Sequence, residues 1–260
     1  MTDVFFEILS AQPLDRHEDA RKLFQLWAET LPGLLPDRWG LYEPLRNRFS
    51  LSTLDEAIRT WISSYYVKRV ARPKLESSIH MQIGPHRRHS RWTIDLDDAK
   101  AFEQPAFQNL LERSATVFSA DLGYIHRITE AETPRGRANG TVCFLDTAKT
   151  EKVMILVSLT LQKFLPDIYW TTVFGKPYVK LFSRERLLSC PAYRVKELDN
   201  GSIVVQLTPD LKDVATEEAA FERARQDARA HLDNDAFFDP DKGMDHQYRV
   251  PEFEWLPSPH

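Results

Sequence analysis

Residues 193–207 read YRVKELDNGSIVVQL, in which two runs flank Asp199-Asn200-Gly201. Asn-Gly is a favoured pair at a two-residue hairpin turn, because the central positions of that turn need positive φ angles. The runs on either side of the turn then form the two strands of a hairpin. We therefore predict an antiparallel β-hairpin over 193–207.

Two runs nearer the N-terminus alternate apolar and polar residues with the period of two that a strand produces. In 79–83 and in 92–96 every second residue is apolar. Both runs are predicted to be half-buried antiparallel strands. Further strand-like stretches occupy 124–130, 141–145 and 152–159, so we expect a large sheet.

Amphipathic helices are predicted where apolar residues recur at three- and four-residue steps. One of them opens with Thr53-x-x-Glu56, a capping box that satisfies two otherwise unpaired backbone amides. The predicted helices span 16–31, 53–65, 105–118 and 217–232, the last capped by Thr216, and a further helix begins at Gly175-Lys176-Pro177.

These elements together predict the α+β class, a mostly antiparallel sheet with amphipathic helices packed on it. At 260 residues the simplest organisation is a single α+β domain, 1–260. Helix–hairpin–helix order occurs at 53–118 and again at 177–232, which also fits two similar halves, 1–140 and 141–260. No residue-level repeat between these segments favours the second organisation.

Composition narrows the classes of function. The chain has 34 Lys/Arg and 38 Asp/Glu, a net charge of −4, which argues against a dedicated nucleic-acid binder. Only 9 glycines occur, which disfavours the glycine-rich loops that cradle nucleotides. Cys143 and Cys190 lie too far apart in sequence to suggest a zinc motif, and two cysteines make no disulfide framework. We therefore expect no metal and no cofactor.

The N-terminus and the apolar runs predict a soluble, cytoplasmic protein. Met1-Thr2-Asp3 lacks the basic region of a signal peptide, and the apolar stretch 4–6 is interrupted by Glu7. The longest uninterrupted apolar run, 153–157, is far shorter than the roughly 18 residues of a membrane span. We expect no membrane association.

Charge is distributed unevenly along the chain. Residues 68–91 carry seven Lys/Arg and one Glu, and residues 210–245 carry eleven Asp/Glu and five Lys/Arg. The basic segment lies beside Tyr66 and Trp92, a composition suited to phosphate contacts and base stacking, although a charged strand edge that discourages aggregation explains it too. Either the two segments pair within the fold, or the acidic one faces a basic partner.

Catalytic signatures are absent from the sequence. It contains no Gly-x-Ser-x-Gly, His-Glu-x-x-His, P-loop or dinucleotide-binding motif. The carboxylates of 92–98 could line a cleft with Arg184 and Glu185, but polar strand positions bring carboxylates together routinely. We predict that the chain is not an enzyme, and an enzyme with this carboxylate/Arg cleft is the alternative.

One segment resembles a known family. Residues 169–182, YWTTVFGKPYVKLF, together with 184–188 and 191–193, resemble a segment of bacterial immunity-type proteins, the cognate antitoxins of polymorphic toxins and type VI secretion effectors. Residues 231–238 and 248–253 resemble the C-terminal end of the same family. The resemblance brings no catalytic residue.

The resemblance implies a cytoplasmic immunity protein that neutralises a cognate secreted toxin by forming a stoichiometric complex. Its partner would be the toxin, nucleic acid is not expected, and the oligomeric state stays open. The aromatic segment 169–182 is predicted to be core, and a nucleic-acid module built on 68–91 remains a second alternative. Because toxins that act on nucleic acids tend to be basic, the predicted partner-binding residues are acidic: Glu217, Glu218, Asp233, Asp235, Asp239, Asp241 and Asp245.

Overall fold

The computed structural model describes residues 4–61, 64–82, 88–129, 156–239, 241–243 and 245–255. Its strands are β1 (Val4–Ser10), β2 (Arg38–Gly40), β3 (Asn47–Arg48), β4 (Ser64–Arg69), β5 (Leu75–His80), β6 (Ser90–Leu96), β7 (Leu122–His126), β8 (Thr171–Phe174), β9 (Arg194–Glu197) and β10 (Ile203–Gln206). They form one sheet in the order β3-β2-β4-β5-β6-β1-β7-β8-β10-β9. Neighbouring strands in it are antiparallel, which confirms the predicted fold class.

Along the chain, the helices lie mainly between groups of strands. They are α1 (His17–Thr30), α2 (Leu54–Ile58), α3 (Gln104–Val117), α4 (Ser158–Leu161), α5 (Lys176–Phe182), α6 (Arg184–Leu188), α7 (Asp213–Thr216) and α8 (Glu218–Leu232). Proline occupies the first turn of α3 and of α5, where its missing N–H has no helical partner to lose. In the part of the chain that the structure describes, no helix is long and apolar enough to cross a bilayer.

β1 lies between β6 and β7 and pairs with both. All seven of its residues are buried, so both of its faces are covered. Strands covered on both faces read as nearly continuous apolar runs, and β1 keeps that pattern apart from Glu7 and Ser10. This strand was not predicted from the sequence, where the N-terminal apolar stretch was interpreted only as a candidate signal peptide.

The first face of the sheet is covered by α1, α2 and α3. Trp92 of β6 packs against Trp27 of α1, with ring centroids 5.5 Å apart, and against Phe6 of β1 at 5.3 Å. Gly123 of β7 lets α3 approach closely, since a Cβ there would lie 3.1 Å from Leu111 Cδ1. This layer forms most of the apolar core of the N-terminal part of the chain.

On the β7 side of β1, the second face of the sheet is covered by α5 and α8. Phe174 of β8 packs on Tyr178 of α5, with ring centroids 5.9 Å apart, and His126 of β7 lies against Phe221 of α8 at 5.8 Å. The aromatic segment 169–182 is core as predicted, with Trp170 and Tyr178 both at 0% exposure.

The helix predicted from Thr53 to Tyr65 is wrong, since α2 ends at Ile58 and Tyr65 lies on β4. Thr53 does not cap α2. Its hydroxyl instead accepts a hydrogen bond from the Ser50 amide at 3.2 Å and closes a 3₁₀ turn. The Tyr65 hydroxyl donates to the carbonyl of Ala57 at 3.1 Å, so the strand side chain takes an acceptor that a longer helix would use.

Other boundaries differ by a few residues. β5 begins at Leu75, four residues before the predicted run, and the strand predicted at 152–159 is wrong at Ser158, which begins α4. Thr216 belongs to α7, and Glu217 is the residue before α8. Ile83, the strand predicted at 141–145 and the first part of 152–159 lie outside the described residues.

The hairpin at 193–207 is confirmed. β9 and β10 pair antiparallel, and Gly201 at the turn has a φ of +80°, whereas Asn200 lacks the positive φ that the predicted two-residue turn requires. The helices predicted at 16–31, 105–118 and 217–232 are confirmed to within two residues. The single domain 1–260, and the halves 1–140 and 141–260, stay predictions.

Gly175 immediately precedes α5, at a point where two backbone segments meet. A Cβ there would lie 2.0 Å from the carbonyl oxygen of Ala120 and 2.8 Å from Asp121 Cα. We expect Gly175→Ala to lower the free energy of unfolding by about 3 kcal/mol, because backbone must move to admit the methyl group. Gly33→Ala is the control, since its Cβ would meet nothing within 4 Å, and it should change stability by less than about 0.5 kcal/mol. Urea unfolding that gives equal stabilities for the two variants would contradict this.

Candidate functional site

The second face of β4, β5 and β6, continued by one residue of β1, is polar; we call it the polar sheet face. Strand alternation turns Tyr65, Ile79 and Trp92 towards the helices and leaves their neighbours on this side. The registers place the neighbours in cross-strand rows. The polar sheet face comprises Glu7, Ser64, Tyr66, Lys68, Glu76, Ser78, His80, Arg91, Thr93 and Asp95.

A pocket of about 210 Å³ opens on this face. Phe5 of β1 and Leu45, from the loop between β2 and β3, contribute apolar walls, and Tyr66 lines it too. Lys68 is paired there with Glu43 at 3.1 Å. Apart from Val67, the remaining lining residues carry hydroxyls or carboxylates, so the pocket suits a polar group.

Glu7 is buried at 0% exposure in the middle of the sheet. Its Oε2 accepts hydrogen bonds from the Tyr124 hydroxyl and, at 3.4 Å, from the Leu156 amide. Its Oε1 lies 3.7 Å from Arg91 Nε. Burial raises the pKa of Glu7 to about 7, although the Arg91 charge and the two hydrogen bonds act in the opposite direction. A carboxyl that changes charge near neutral pH is typical of functional sites.

His80 lies directly across from Arg91 on the neighbouring strand. Burial, followed by the positive charge of Arg91, lowers the pKa of His80 to about 4, so its imidazole is neutral at neutral pH. Its Nδ1 lies 3.0 Å from the Ser64 hydroxyl, and its ring meets the edge of Tyr66. The site therefore combines a titrating acid, a permanent cation and a neutral imidazole.

A second polar group joins four parts of the chain. His89 Nδ1 lies 2.9 Å from the Ser158 hydroxyl, and His89 Nε2 lies 3.3 Å from Asp121 Oδ2. The rings of Phe253 and Trp255 pack on the imidazole, whose side chain has no exposed surface. A Ser-His-Asp triad uses the opposite ring nitrogens and needs access for a substrate. This group instead fastens the C-terminal segment to the sheet.

The seven predicted partner-binding residues lie around α8, but not together. Glu217 and Glu218 are exposed at its N-terminal end. The other five follow its C-terminal end, so the 15 residues of α8, about 22 Å long, separate the two groups.

Two of the seven are engaged inside the fold. Asp233 pairs with Arg249, and Asp235 lies 2.7 Å from Lys242 and 3.1 Å from His246. Those hydrogen bonds lower the pKa of Asp235. Asp239, Asp241 and Asp245 are exposed or half-buried and, like Glu217 and Glu218, form no ion pair with another described residue.

The basic segment 68–91 is divided by the strands that carry it. Lys68 is bound to Glu43, Arg69 donates to the Leu35 carbonyl at 3.3 Å, and Arg91 lies next to Glu7. Arg72, Lys74 and Arg88 are exposed, and Arg87 lies outside the described residues. Trp92 is buried on the first face and offers no surface for base stacking, whereas Tyr66 lies half-buried on the polar sheet face with Lys68.

The cleft considered for an enzyme does not form. Arg184 is bound to Glu197 at 2.8 Å, beside β9, while the carboxylates of 92–98 lie on or just after β6. Five strand spacings separate β6 from β9, about 24 Å. Burial raises the pKa of the Cys190 thiol to about 12, so it is not a ready nucleophile. Cys143 lies outside the described residues.

The sequence analysis missed Glu7, Arg91 and His80 as a group. A single carboxylate inside the apolar run 4–9 was a signal for Glu7, because a charge within a buried strand must find partners. The partners of Glu7 are Arg91 on β6, Tyr124 on β7 and Leu156 just before α4, and nothing local to residue 7 indicated them.

Comparison with known proteins adds little to this geometry. No protein-family model and no curated protein matches the chain. A chain of the crystal structure described as the toxic C-terminal tip of CdiA from Pseudomonas aeruginosa in complex with immune protein is similar at 12% identity and a TM-score of 0.23. The match covers 51% of this chain and 91% of that chain. A likeness of this size carries no inference about fold or function.

Glu7 should give the protein a characteristic pH dependence. Its pKa is higher in the folded protein than the ordinary 4.5, so its stabilising contribution is complete below about pH 4.5 and is lost as the pH rises through about 7. A shift of this size corresponds to about 3 kcal/mol. His80 has the opposite sign, since its pKa falls from 6.5 to about 4 and its contribution is lost as the pH falls through that range.

We expect Glu7→Gln to remove the pH-dependent contribution of Glu7 to stability and to keep that of His80. The stability of the unmodified protein relative to Glu7→Gln should therefore fall between about pH 4.5 and 7, as measured by urea unfolding at several pH values. A difference that does not change with pH would show that Glu7 is not held in this environment.

Proposed function

We propose that this chain is an immunity-type protein that binds a cognate secreted bacterial toxin in the cytoplasm and neutralises it by forming a stoichiometric complex. The resemblance of 169–193 to such proteins supports the proposal. Trp170 and Tyr178 within that stretch have no exposed surface, so these two aromatic side chains serve as framework rather than as toxin contacts.

The observation that carries the proposal is that the basic segment 68–91 does not neutralise the acidic segment 210–245 among the described residues. No ion pair between described residues joins the basic segment 68–91 to the acidic segment 210–245. The internal partners of Asp233 and Asp235 come from 242–249, and those of Lys68 and Arg91 come from Glu43 and Glu7. Of the two arrangements that the charge distribution allows, an outward-facing acidic surface is therefore favoured.

The five carboxylates without ion pairs define this acidic surface: Glu217, Glu218, Asp239, Asp241 and Asp245. A typical interface buries about 800 Å² on each partner, which corresponds to a patch about 30 Å across. The length of α8, about 22 Å, is shorter than that span. Unpaired surface charge accelerates association with an oppositely charged partner and selects against others.

The first test is neutralisation itself. The protein encoded beside this chain's gene should be toxic when expressed alone, and co-expression of this chain should restore growth. The two should co-elute from a sizing column as a complex of fixed stoichiometry. A harmless neighbour that does not bind this chain would contradict the proposal.

The second test locates the contact. Replacing Glu218, Asp241 and Asp245 by lysine should slow association with the toxin about tenfold or more at low salt and much less at high salt, because screening already weakens the attraction there. The control replaces Glu56, Asp97 and Asp199, which are exposed carboxylates elsewhere, and makes the same change in net charge.

Stopped-flow association at two salt concentrations distinguishes the outcomes. Equal slowing by both triple variants would indicate a general effect of net charge. No slowing by either would reject the acidic surface while leaving neutralisation intact.

A further inference from the structure

Arg91 is a cation whose neighbours in the fold do not satisfy it. Its side chain is 14% exposed, and Nε is buried without a hydrogen-bond partner. The closest charged atom is Glu7 Oε1 at 3.7 Å from Nε, beyond the usual N–H···O range. Across the described residues, no acceptor takes a hydrogen bond from its guanidinium group. A guanidinium keeps its proton and offers five N–H donors, so all five donors of Arg91 lack an acceptor among the described residues.

Glu7 does not accept a hydrogen bond from Arg91. Its Oε2 is already occupied by Tyr124 and Leu156, and Oε1 is buried without a hydrogen bond. Burial raises the pKa of Glu7 to about 7, so close to half of the molecules carry a neutral carboxyl at neutral pH. Arg91 then keeps positive charge that no described residue nearby cancels.

Among the described residues, the other groups next to Arg91 on this face are neutral. His80 is directly opposite on β5, with an uncharged imidazole, and Ser64 is opposite His80 on β4. Thr93, two residues along the same strand face, is bonded to Ser78 at 2.8 Å. Asp95 lies a further two residues away, about 13 Å along the strand from Arg91. Tyr124, on β7, faces Glu7 and is kept protonated by burial, which raises its pKa.

We propose that Arg91 binds the carboxylate of a small ligand on the polar sheet face. The planar guanidinium matches a carboxylate through two parallel N–H···O bonds. One uncancelled positive charge fits a monoanion, whereas a phosphate dianion would meet the partial negative charge of Glu7. The site is formed by β4, β5, β6 and β1, apart from the acidic surface at the ends of α8, and so goes beyond toxin binding.

Acetate is the probe, followed by NMR of the ¹⁵N-labelled full chain. The Nε–Hε signal of Arg91, assigned by its loss in Arg91→Lys, should shift saturably with acetate at about pH 6. Acetamide, which has the same shape without the charge, and sodium chloride at matched ionic strength should leave it in place. A linear drift with acetate, or an equal shift with chloride, would overturn the proposal.

Glu7 supplies a second readout that does not depend on replacing Arg91. At about pH 8 roughly nine-tenths of Glu7 is ionised and competes for Arg91, so acetate should bind about tenfold more weakly than at pH 6. Glu7→Gln should abolish this loss. Acetate affinity that is independent of pH in the unmodified protein, or that falls equally in Glu7→Gln, would reject the assignment.

Arg91→Lys keeps the positive charge but loses the planar guanidinium that makes two parallel hydrogen bonds. Backbone amides near Thr93 should therefore report at least tenfold weaker acetate binding. Arg72→Lys, on the exposed turn between β4 and β5, is the matched control and should bind as the unmodified protein does. Unchanged binding in a folded Arg91→Lys would overturn the proposal. Should that variant not fold, the pH dependence and Glu7→Gln decide the outcome.

Discussion

The pairing of β1 with β6 on one side and β7 on the other is the constraint on which the structure depends. β2 to β6 come from the N-terminal part of the chain and β7 to β10 from the rest, and β1 alone joins the two sets edge to edge. A strand in that position is covered on both faces, so any polar side chain on it must be satisfied by neighbouring elements. Glu7 meets that requirement only partly, through Tyr124 and Leu156.

The two faces of the sheet differ because helices cover them unequally. α1, α2 and α3 cover the first face, while α5 and α8 pack on the second face beyond β1. The strands on the other side of β1 therefore keep polar residues at their alternate positions. The position of Glu7 at the boundary between the covered and polar parts explains why its carboxyl is both fully buried and within reach of Arg91.

The sequence predicted best those elements whose signals are local. The hairpin at 193–207 depends on Asn200-Gly201, and α1 and α3 depend on apolar spacing, so adjacent residues were sufficient. The helix at 53–65 failed because a tertiary contact, Tyr65 to the Ala57 carbonyl, overrode a local capping pattern. β1 pairs with residues about 80 to 120 positions away, and no local pattern encodes such partners. The acidic residues were located by composition, but the pairing of Asp233 and Asp235 was visible only in three dimensions.

The two proposed surfaces act through different physics, although β1 holds both in one sheet. The acidic surface consists of exposed carboxylates, whose field decays within about 8 Å at physiological salt, so it influences mainly the rate at which a partner arrives. Arg91 acts over contact distance from a half-buried position, where salt screens it less and where a single bound carboxylate changes the local balance of charge. Added salt should therefore separate the two functions: it weakens steering by the α8 carboxylates well before it displaces a ligand from Arg91. Binding of a toxin and binding of a small acid would then be independent properties of one molecule.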